Sequence, residues 1–157
     1  MTFERSEDWE LIKKIVTHPR VYPAVSDDFS PPASEWEPIK HQDAWYVIAR
    51  DGEDVLGLWA LFPDSRICWK VHTCLLPKSY GERARIAVRG FSAWVWANTP
   101  CLRVITDVPD YNRLAMNFAL EAGLTEFGVN RKAYMKNGKL HDLVMLGISK
   151  PEPDPCR

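Results

Sequence analysis

Residues 66–107 read "RICWKVHTCLLPKSYGERARIAVRGFSAWVWANTPCLRVITD", and the change of period inside this stretch decides the fold. Residues 66–76 have the apolar, β-branched character of a strand. After "PKSYGE", Ala84, Ala87, Val88, Phe91, Trp94 and Val95 recur at spacings of three and four, which predicts a helix over 83–97. Arg85, Arg89 and Ser92 fall on its opposite face. "CLRVITDV" is then a short apolar strand. A strand, a crossover helix and a second strand close parallel and right-handed, so segments 66–76 and 101–107 are expected as parallel neighbours in one sheet.

Upstream, "WYVIAR" (45–50) and "VLGLWALF" (55–62) are two more strands joined by "DGED", and Asp51-Gly52 is a strong hairpin signal. With 66–76 they predict an antiparallel meander. Before it, "SEDWELIKKIVT" (6–17) sets Trp9, Ile12 and Val16 on one helical face, with Ser6 as N-cap and His18-Pro19 as the stop. Residues 20–42 carry Pro31-Pro32 and Pro38 and predict a short helical turn followed by loop. Downstream, "VPDYNRLAMNFALEAGL" (108–124) predicts a second helix with Tyr111, Leu114, Ala115, Phe118 and Ala122 inward, stopped by Gly123. The chain then closes as a hairpin around Asn137-Gly138. The expected fold is α/β: a mixed, mostly antiparallel twisted sheet of six to seven strands with helices on both faces.

The 157 residues suit one domain, expected over 1–149 with a disordered tail at 150–157, "KPEPDPCR". A chain this long buries roughly two thirds of its unfolded surface, so the core needs no staples. A net charge of −1 disfavours non-specific nucleic-acid binding. Cys68, Cys74, Cys101 and Cys156 lack C-x-x-C spacing and paired histidines, so neither a metal site nor a redox dithiol is expected. Reduced thiols, no export signal and no long apolar span lead to the expectation of a cytoplasmic protein without a membrane partner.

This order of elements, with two motifs in their places, resembles the GNAT superfamily of acyl-CoA-dependent N-acetyltransferases across roughly residues 2–149. In 108–124, Asn112, Ala115, Phe118, Gly123 and Leu124 fall on positions of the family pattern, and Ala119 stands where a tyrosine is usual. The resemblance implies that Asn112 touches the pantetheine arm; the plainer alternative is that it bonds the backbone of the helix's first turn. In "LLPKSYGERARIAVRG", Pro77 and Gly81 fit, Tyr80 replaces an Arg or Gln, and Arg83 and Arg85 replace small residues. A helix N-terminus receives a pyrophosphate through free N–H groups and its dipole, with Gly81 permitting close approach and Arg83 or Arg85 adding charge. The resemblance thus implies acetyl-CoA as co-substrate and an amine as acceptor, without a metal. It implies two central parallel strands splayed at the cofactor site, which is lined by Cys74, Leu75, Leu76, Ser79, Tyr80, Gly81, Glu82, Arg83, Ala84 and Asn112. A homodimer stays open. The compact form also resembles small phage-encoded GNAT-like proteins of unassigned role, so a catalytically inactive binding or structural protein is the alternative.

For amine acetylation by direct attack, a lysine-like amine is only about one part in 2,500 neutral at pH 7, a handicap of about 4–5 kcal/mol. Taking the amine's proton therefore matters more than protonating the thiolate. His72 and Asp107 are the candidate bases, and Tyr111 or Tyr134 the candidate acid in place of Ala119. Each has a structural alternative: packing for His72 and the tyrosines, helix capping for Asp107. An N–H near Leu75, at an expected bulge, would polarise the thioester. Asp27, Asp28, Glu35 and Glu37 would suit a cationic amine or form a solvated loop; Trp36 and Trp45 would wall the acceptor or pack in the core.

Overall fold

In the computed structural model, which describes residues 1–153, the crossover forms as expected. The elements are β1 (Thr2–Arg5), α1 (Trp9–Val16), α2 (Tyr22–Val25), a 3-10 turn at Ala33–Glu35, β2 (Trp45–Asp51), β3 (Asp54–Pro63), β4 (Cys68–Leu75), a 3-10 turn at Pro77–Ser79, α3 (Glu82–Asn98), β5 (Arg103–Pro109), α4 (Arg113–Glu121), β6 (Thr125–Lys136) and β7 (Lys139–Ser149). The strands make one sheet in the order β1-β2-β3-β4-β5-β7-β6. Only β4 and β5 run parallel; the other neighbours are antiparallel.

Both hairpins form on their glycines. Gly52 alone has positive φ, +61°, at the first position of the β2–β3 turn, whereas Asn137 and Gly138 have φ +53° and +72° in the β6–β7 turn, and only the second is the pattern of a type I′ turn. β1 is an addition to the expected elements: its four residues pair with β2 from Thr2↔Arg50 to Arg5↔Val47, too short a run to show a period. α1 starts later than expected, because Asp8, not Ser6, caps it by accepting from the Leu11 N–H at 3.0 Å. α4 likewise starts at Arg113, so Tyr111 lies outside it and Leu114 is 76% exposed. Its inward residues are Ala115, Met116, Phe118, Ala119 and Ala122. Lys150, assigned from sequence to the tail, still extends the sheet by donating its N–H to Leu102 at 2.8 Å. Residues 154–157 of the expected tail, with Cys156, lie outside the described residues.

Two layers of core enclose the sheet. On one face α3 packs Ala84, Ala87, Val88, Phe91 and Val95 onto Val47, Trp59, Leu61, Trp69, Val71 and Leu75. There Trp59 stacks on Phe91 with centroids 4.4 Å apart, and Trp45 meets Trp69 edge-on at 5.1 Å. Ile12, Ile15 and Val16 of α1 cover Tyr46, Ile48, Leu58, Ala60 and Cys74 on the other face. Trp59 and Trp69 are core, whereas Trp45 is half-buried against the α3 side and Trp36 against the α1 side.

Gly57 sets how β4 lies on β3. It has φ +145°, and a Cβ there would meet the Cys74 carbonyl oxygen at 2.3 Å and Leu75 Cα at 2.7 Å. The sheet's nearby irregularity falls opposite it, between Ala49 and Arg50 of β2. β4 pairs with β3 without a register shift, which corrects the bulge expected at Leu75.

Candidate active site

β4 and β5 pair only over Cys68↔Arg103, Trp69↔Val104 and Lys70↔Ile105. Beyond that they part, although β4 runs on to Leu75 and β5 to Pro109. In an antiparallel ladder alternate residues exchange both backbone bonds with their partner. The Leu76 N–H donates to Leu56 O at 2.9 Å, so Cys74 and His72 direct their backbones at β3, and Val71, Thr73 and Leu75 direct theirs at the gap. Val71 agrees, since its carbonyl accepts the Thr106 hydroxyl at 3.0 Å. On the other side Lys150 N–H reaches Leu102 and Asp110 N–H reaches Asp142, which leaves Asp107 among the residues whose backbone faces β4. The gap is therefore edged by backbone groups of both strands.

The loop that leaves the end of β4 enters the N-terminus of α3, whose first turn is tied to α4 by Arg85 and Glu121. The helix's first internal bond runs from Arg85 N to Gly81 O at 3.3 Å, so the N–H groups of Glu82, Arg83 and Ala84 have no partner within the helix. Gly81 caps it with φ +81° and ψ −136°, without a side-chain bond, and an added Cβ there would meet nothing within 4 Å. The loop before it is tied down from inside. Ser79 is fully buried, its Oγ shared between Leu56 O at 2.8 Å and Leu76 O at 2.6 Å. Leu76 and the exposed Tyr80 complete the loop.

Several expected ligand side chains are engaged elsewhere. Cys74 is buried beneath α1, where loss of solvent pushes its thiol up to about 12. Ala84 packs in the core. Arg83 reaches away from the helix end to Asp54 at 3.0 Å and Asp51 at 3.2 Å, and Lys78 joins Asp54 at 3.1 Å. Bonds from Arg83 and then Lys78 hold the Asp54 carboxyl below its usual range. Arg85 pairs with Glu121 of α4 and with Glu82. Asn112 takes its plainer role: Oδ1 caps α4 by accepting from Ala115 N–H at 3.1 Å, and its Nδ2 makes no hydrogen bond among the described residues. Ala119 is buried with Val108, Leu124 and Leu146.

The candidate catalytic residues form two groups on the α1 side of the sheet. At the apex of the gap Lys70 and Asp107 bridge the parallel strands, 2.8 Å apart. His72 follows, edge-on to Phe62 at 5.8 Å. It is solvent accessible, yet surrounded by enough protein to be desolvated, the condition of a group on the floor of an open cleft. Desolvation and then the Lys70 charge lower its pKa, while Asp107 acts the other way. Asp107 bonds Lys70 and does not cap α4.

The second group lies past the end of β5. Tyr111 lies close to Tyr134, and the Tyr134 hydroxyl donates to Ser26 O at 2.7 Å. Desolvation, with nearby Tyr111 and acids, pushes Tyr134 up to about 12. Tyr111 rests edge-on against His141 at 4.6 Å, and Nδ1 of His141 lies 2.8 Å from Asp110 Oδ1. Sequence reading passed over Asp110 and His141. They are thirty-one residues apart, on a turn and a hairpin that each look ordinary, and no local pattern joins them.

The acids of the 20–40 loop mostly serve the fold. Asp27 accepts from Phe29 N–H and the Ser30 hydroxyl, and Glu37 pairs with Lys13 of α1. Asp28 accepts the Asn137 and Gly138 N–H groups at 2.7 Å each, and these bonds lower its pKa. Lys136 Nζ also reaches Pro23 O and Ser26 O, clasping the β6–β7 tip onto the loop after α2. No group of three or more metal-ligating side chains, and no helix long and apolar enough to cross a membrane, occurs among the described residues. A surface cavity of about 320 Å³ lies apart from the gap, between α1, β3 and the loop at Leu76–Lys78.

No family model and no curated protein matches the sequence. Solved structures do. A spermidine N-acetyltransferase from Vibrio cholerae, in complex with CoA and spermine, superposes with TM-score 0.77 at 16% identity, covering 94% of each chain. A ribosomal-protein-alanine N-acetyltransferase from Brucella melitensis superposes with TM-score 0.70 at 12% identity, covering 96% of this chain and 100% of the other. Element order, the single parallel pair and these superpositions agree that the chain has the GNAT fold.

Proposed function

We propose that this chain is an acyl-CoA-dependent N-acyltransferase that moves an acetyl group from acetyl-CoA to a primary amine by direct attack. The observation that carries the reading is the parting of β4 from β5, where the loop leaving β4 enters the free N-terminus of α3. A strand edge offers an extended arm a ladder of donors and acceptors, here from Thr73, Leu75 and Asp107. A seventeen-residue helix with unpartnered N–H groups offers an anion site. The residues fit such a co-substrate through backbone groups, with Gly81 leaving the space for close approach. The Leu75 N–H is the group suited to polarise the thioester carbonyl. Asn112 Nδ2 is the side-chain donor left to meet the arm. His72 and Asp107 would line the floor of the cleft, and Tyr111 and Tyr134 its far wall.

The two solved relatives suggest the acceptors to try: spermidine and a peptide beginning with alanine. Isothermal titration calorimetry with acetyl-CoA should give a Kd on the order of micromolar, about −8 kcal/mol, and free thiol should then appear with one of the amines. Absence of binding at millimolar acetyl-CoA would remove the reading. A second reading, a GNAT-fold binding protein without turnover, is favoured by the buried Ala119 at the tyrosine position and by the internal pairing of Lys78, Arg83 and Arg85. It predicts binding, or none, but no thiol release with either amine.

A further inference from the structure

We propose that Asp110 and His141 form an orienting dyad at this site, in which Nε2 of His141 takes the proton of the attacking amine and Asp110 is the positioning residue. The inference rests on the acyl-transfer reading. Register places the dyad. Asp107 lies opposite Met145, so the two share a face, and alternate residues along β7 bring Leu143 and then His141 onto it. Tyr134 is paired directly with His141 and belongs to that face too, as its bond to Ser26 beyond α2 requires. Equal steps onward from Lys70↔Ile105 bring Leu75 level with Asp110. The dyad therefore stands across the gap from the strand end whose N–H suits the thioester, while His72 is level with Asp107, nearer the apex.

Chemistry distinguishes the two histidines. The Asp110 carboxylate accepts the Asp142 N–H at 3.2 Å on Oδ2 and faces His141 Nδ1 with Oδ1. The Asp142 bond, then the His141 contact, lowers its pKa, so it is ionised and can only accept. In the neutral ring Nδ1 must carry the hydrogen, and the lone pair is on Nε2. No hydrogen bond fixes the tautomer of His72 among the described residues, whereas Nδ1 of His141 is held by the Asp110 carboxylate. The side chain of His141 is 13% exposed, so the ring is sheltered but still reachable.

The amine attacks in its neutral form, its ammonium proton already given up to water, and as its nitrogen bonds to the acyl carbon a remaining N–H proton becomes acidic and passes to Nε2. The C–S bond breaks with its electron pair on sulfur, and the imidazolium returns the proton to the thiolate through water, leaving amide and thiol. The charged or titratable groups facing His141 are Asp110 and Tyr111 from the turn after β5, Tyr134 from β6, and Asp28 beside Tyr111; Lys139 acts on Asp110.

The test uses the full chain, acetyl-CoA, and spermidine and the alanine peptide as probes. In Asp110→Asn the carbonyl oxygen keeps the Asp142 N–H, so the amide donates to Nδ1 and forces the hydrogen onto Nε2. Long-range ¹H–¹⁵N spectra, taken where the ring is neutral, should show that exchange of tautomer. kcat should fall about 100-fold or more, with the acetyl-CoA Kd and the amine KM within about twofold. His141→Gln should fall as far, and the double variant no further, as expected of residues acting as a unit. An active wild type whose Asp110→Asn and His141→Gln variants stay within about threefold overturns the dyad and leaves acyl transfer standing. So does loss of the acidic limb of the rate profile in His72→Gln but not in Asp110→Asn. A wild type that releases no thiol with either amine overturns the acyl-transfer reading itself, and the dyad's role with it.

Discussion

The two sides of the gap are built in opposite ways. On the β4 and α3 side the groups offered to a ligand are main-chain N–H and C=O, and the charged side chains are spent in ion pairs with the β2–β3 hairpin and α4. On the other side, past the backbone edge at Asp107, stand the side chains Tyr111, Tyr134, His141 and Asp110, held by contacts between segments far apart in the chain. Backbone presentation depends on where strands and helix ends lie, so it tolerates many sequences. Side-chain presentation depends on identity. The first side should therefore be broken by changes that move the backbone, and the second by changes that remove a single polar atom.

The largest effect is expected at Gly57. A valine there must hold φ near +145° and drive its Cβ into the Cys74 carbonyl and Leu75 Cα. Backbone strain and overpacking each cost about 1–3 kcal/mol, so Gly57→Val should lose more than about 3 kcal/mol in urea unfolding and lose acetyl-CoA binding, although it touches no ligand. Native-like stability would mean that β3 and β4 can slide apart without loss. Next is Ser79→Ala, which leaves two buried carbonyls, Leu56 O and Leu76 O, without this donor. Leu76 O keeps the Ser79 N–H and Leu56 O the Leu76 N–H, so the loss should be about 1–2 kcal/mol. The acetyl-CoA Kd should weaken with it as the loop before α3 loosens.

The same contrast explains what could be read from the sequence. Hairpins at Gly52 and Asn137-Gly138, the period of α3 and the crossover are local signals, and they yielded the sheet and its one parallel pair. β1 escaped because four residues carry no period and its reason to exist is β2. Leu114 was placed inward by spacing alone, but α4 begins only after Asn112 and turns Leu114 to solvent. The ion pairs of Arg83 could not be read either, because the sequence shows its neighbours and not Asp51 and Asp54, which the hairpin brings beside it. The pairing of Asp110 with His141 depends on the register of β5 against β7 and has no local trace at all.

On the second side Tyr134→Phe should cost about 1 kcal/mol, because Ser26 O keeps its bond from Lys136 Nζ. The variant also sharpens an alkaline signature. Folding raises the phenol from an ordinary value near 10 to about 12. The unfolded chain then gives up a proton that the native chain keeps, so this contribution is complete below pH ~10 and is lost as pH rises toward 12. Tyr111, also raised by desolvation, shares that slope. Stability measured from pH 9 to 12 should fall less steeply in Tyr134→Phe than in the wild type, and parallel curves would place the shift elsewhere.

The smallest effect is expected from Arg83→Gln, and it tests the comparison most directly. The Arg83 side chain is partly exposed, and its pKa is raised by its bonds to Asp54 and Asp51. Ion pairs of this kind are screened and contribute little. If the helix end holds a phosphate through main-chain N–H groups, removing this charge should change the acetyl-CoA Kd by less than about threefold at 0.15 M salt, with a melting temperature close to wild type. A tenfold weakening would mean that Arg83 leaves Asp51 and Asp54 to meet the ligand. The ion pairs seen here would then be a resting arrangement that the co-substrate displaces, and both sides of the gap would work through side chains.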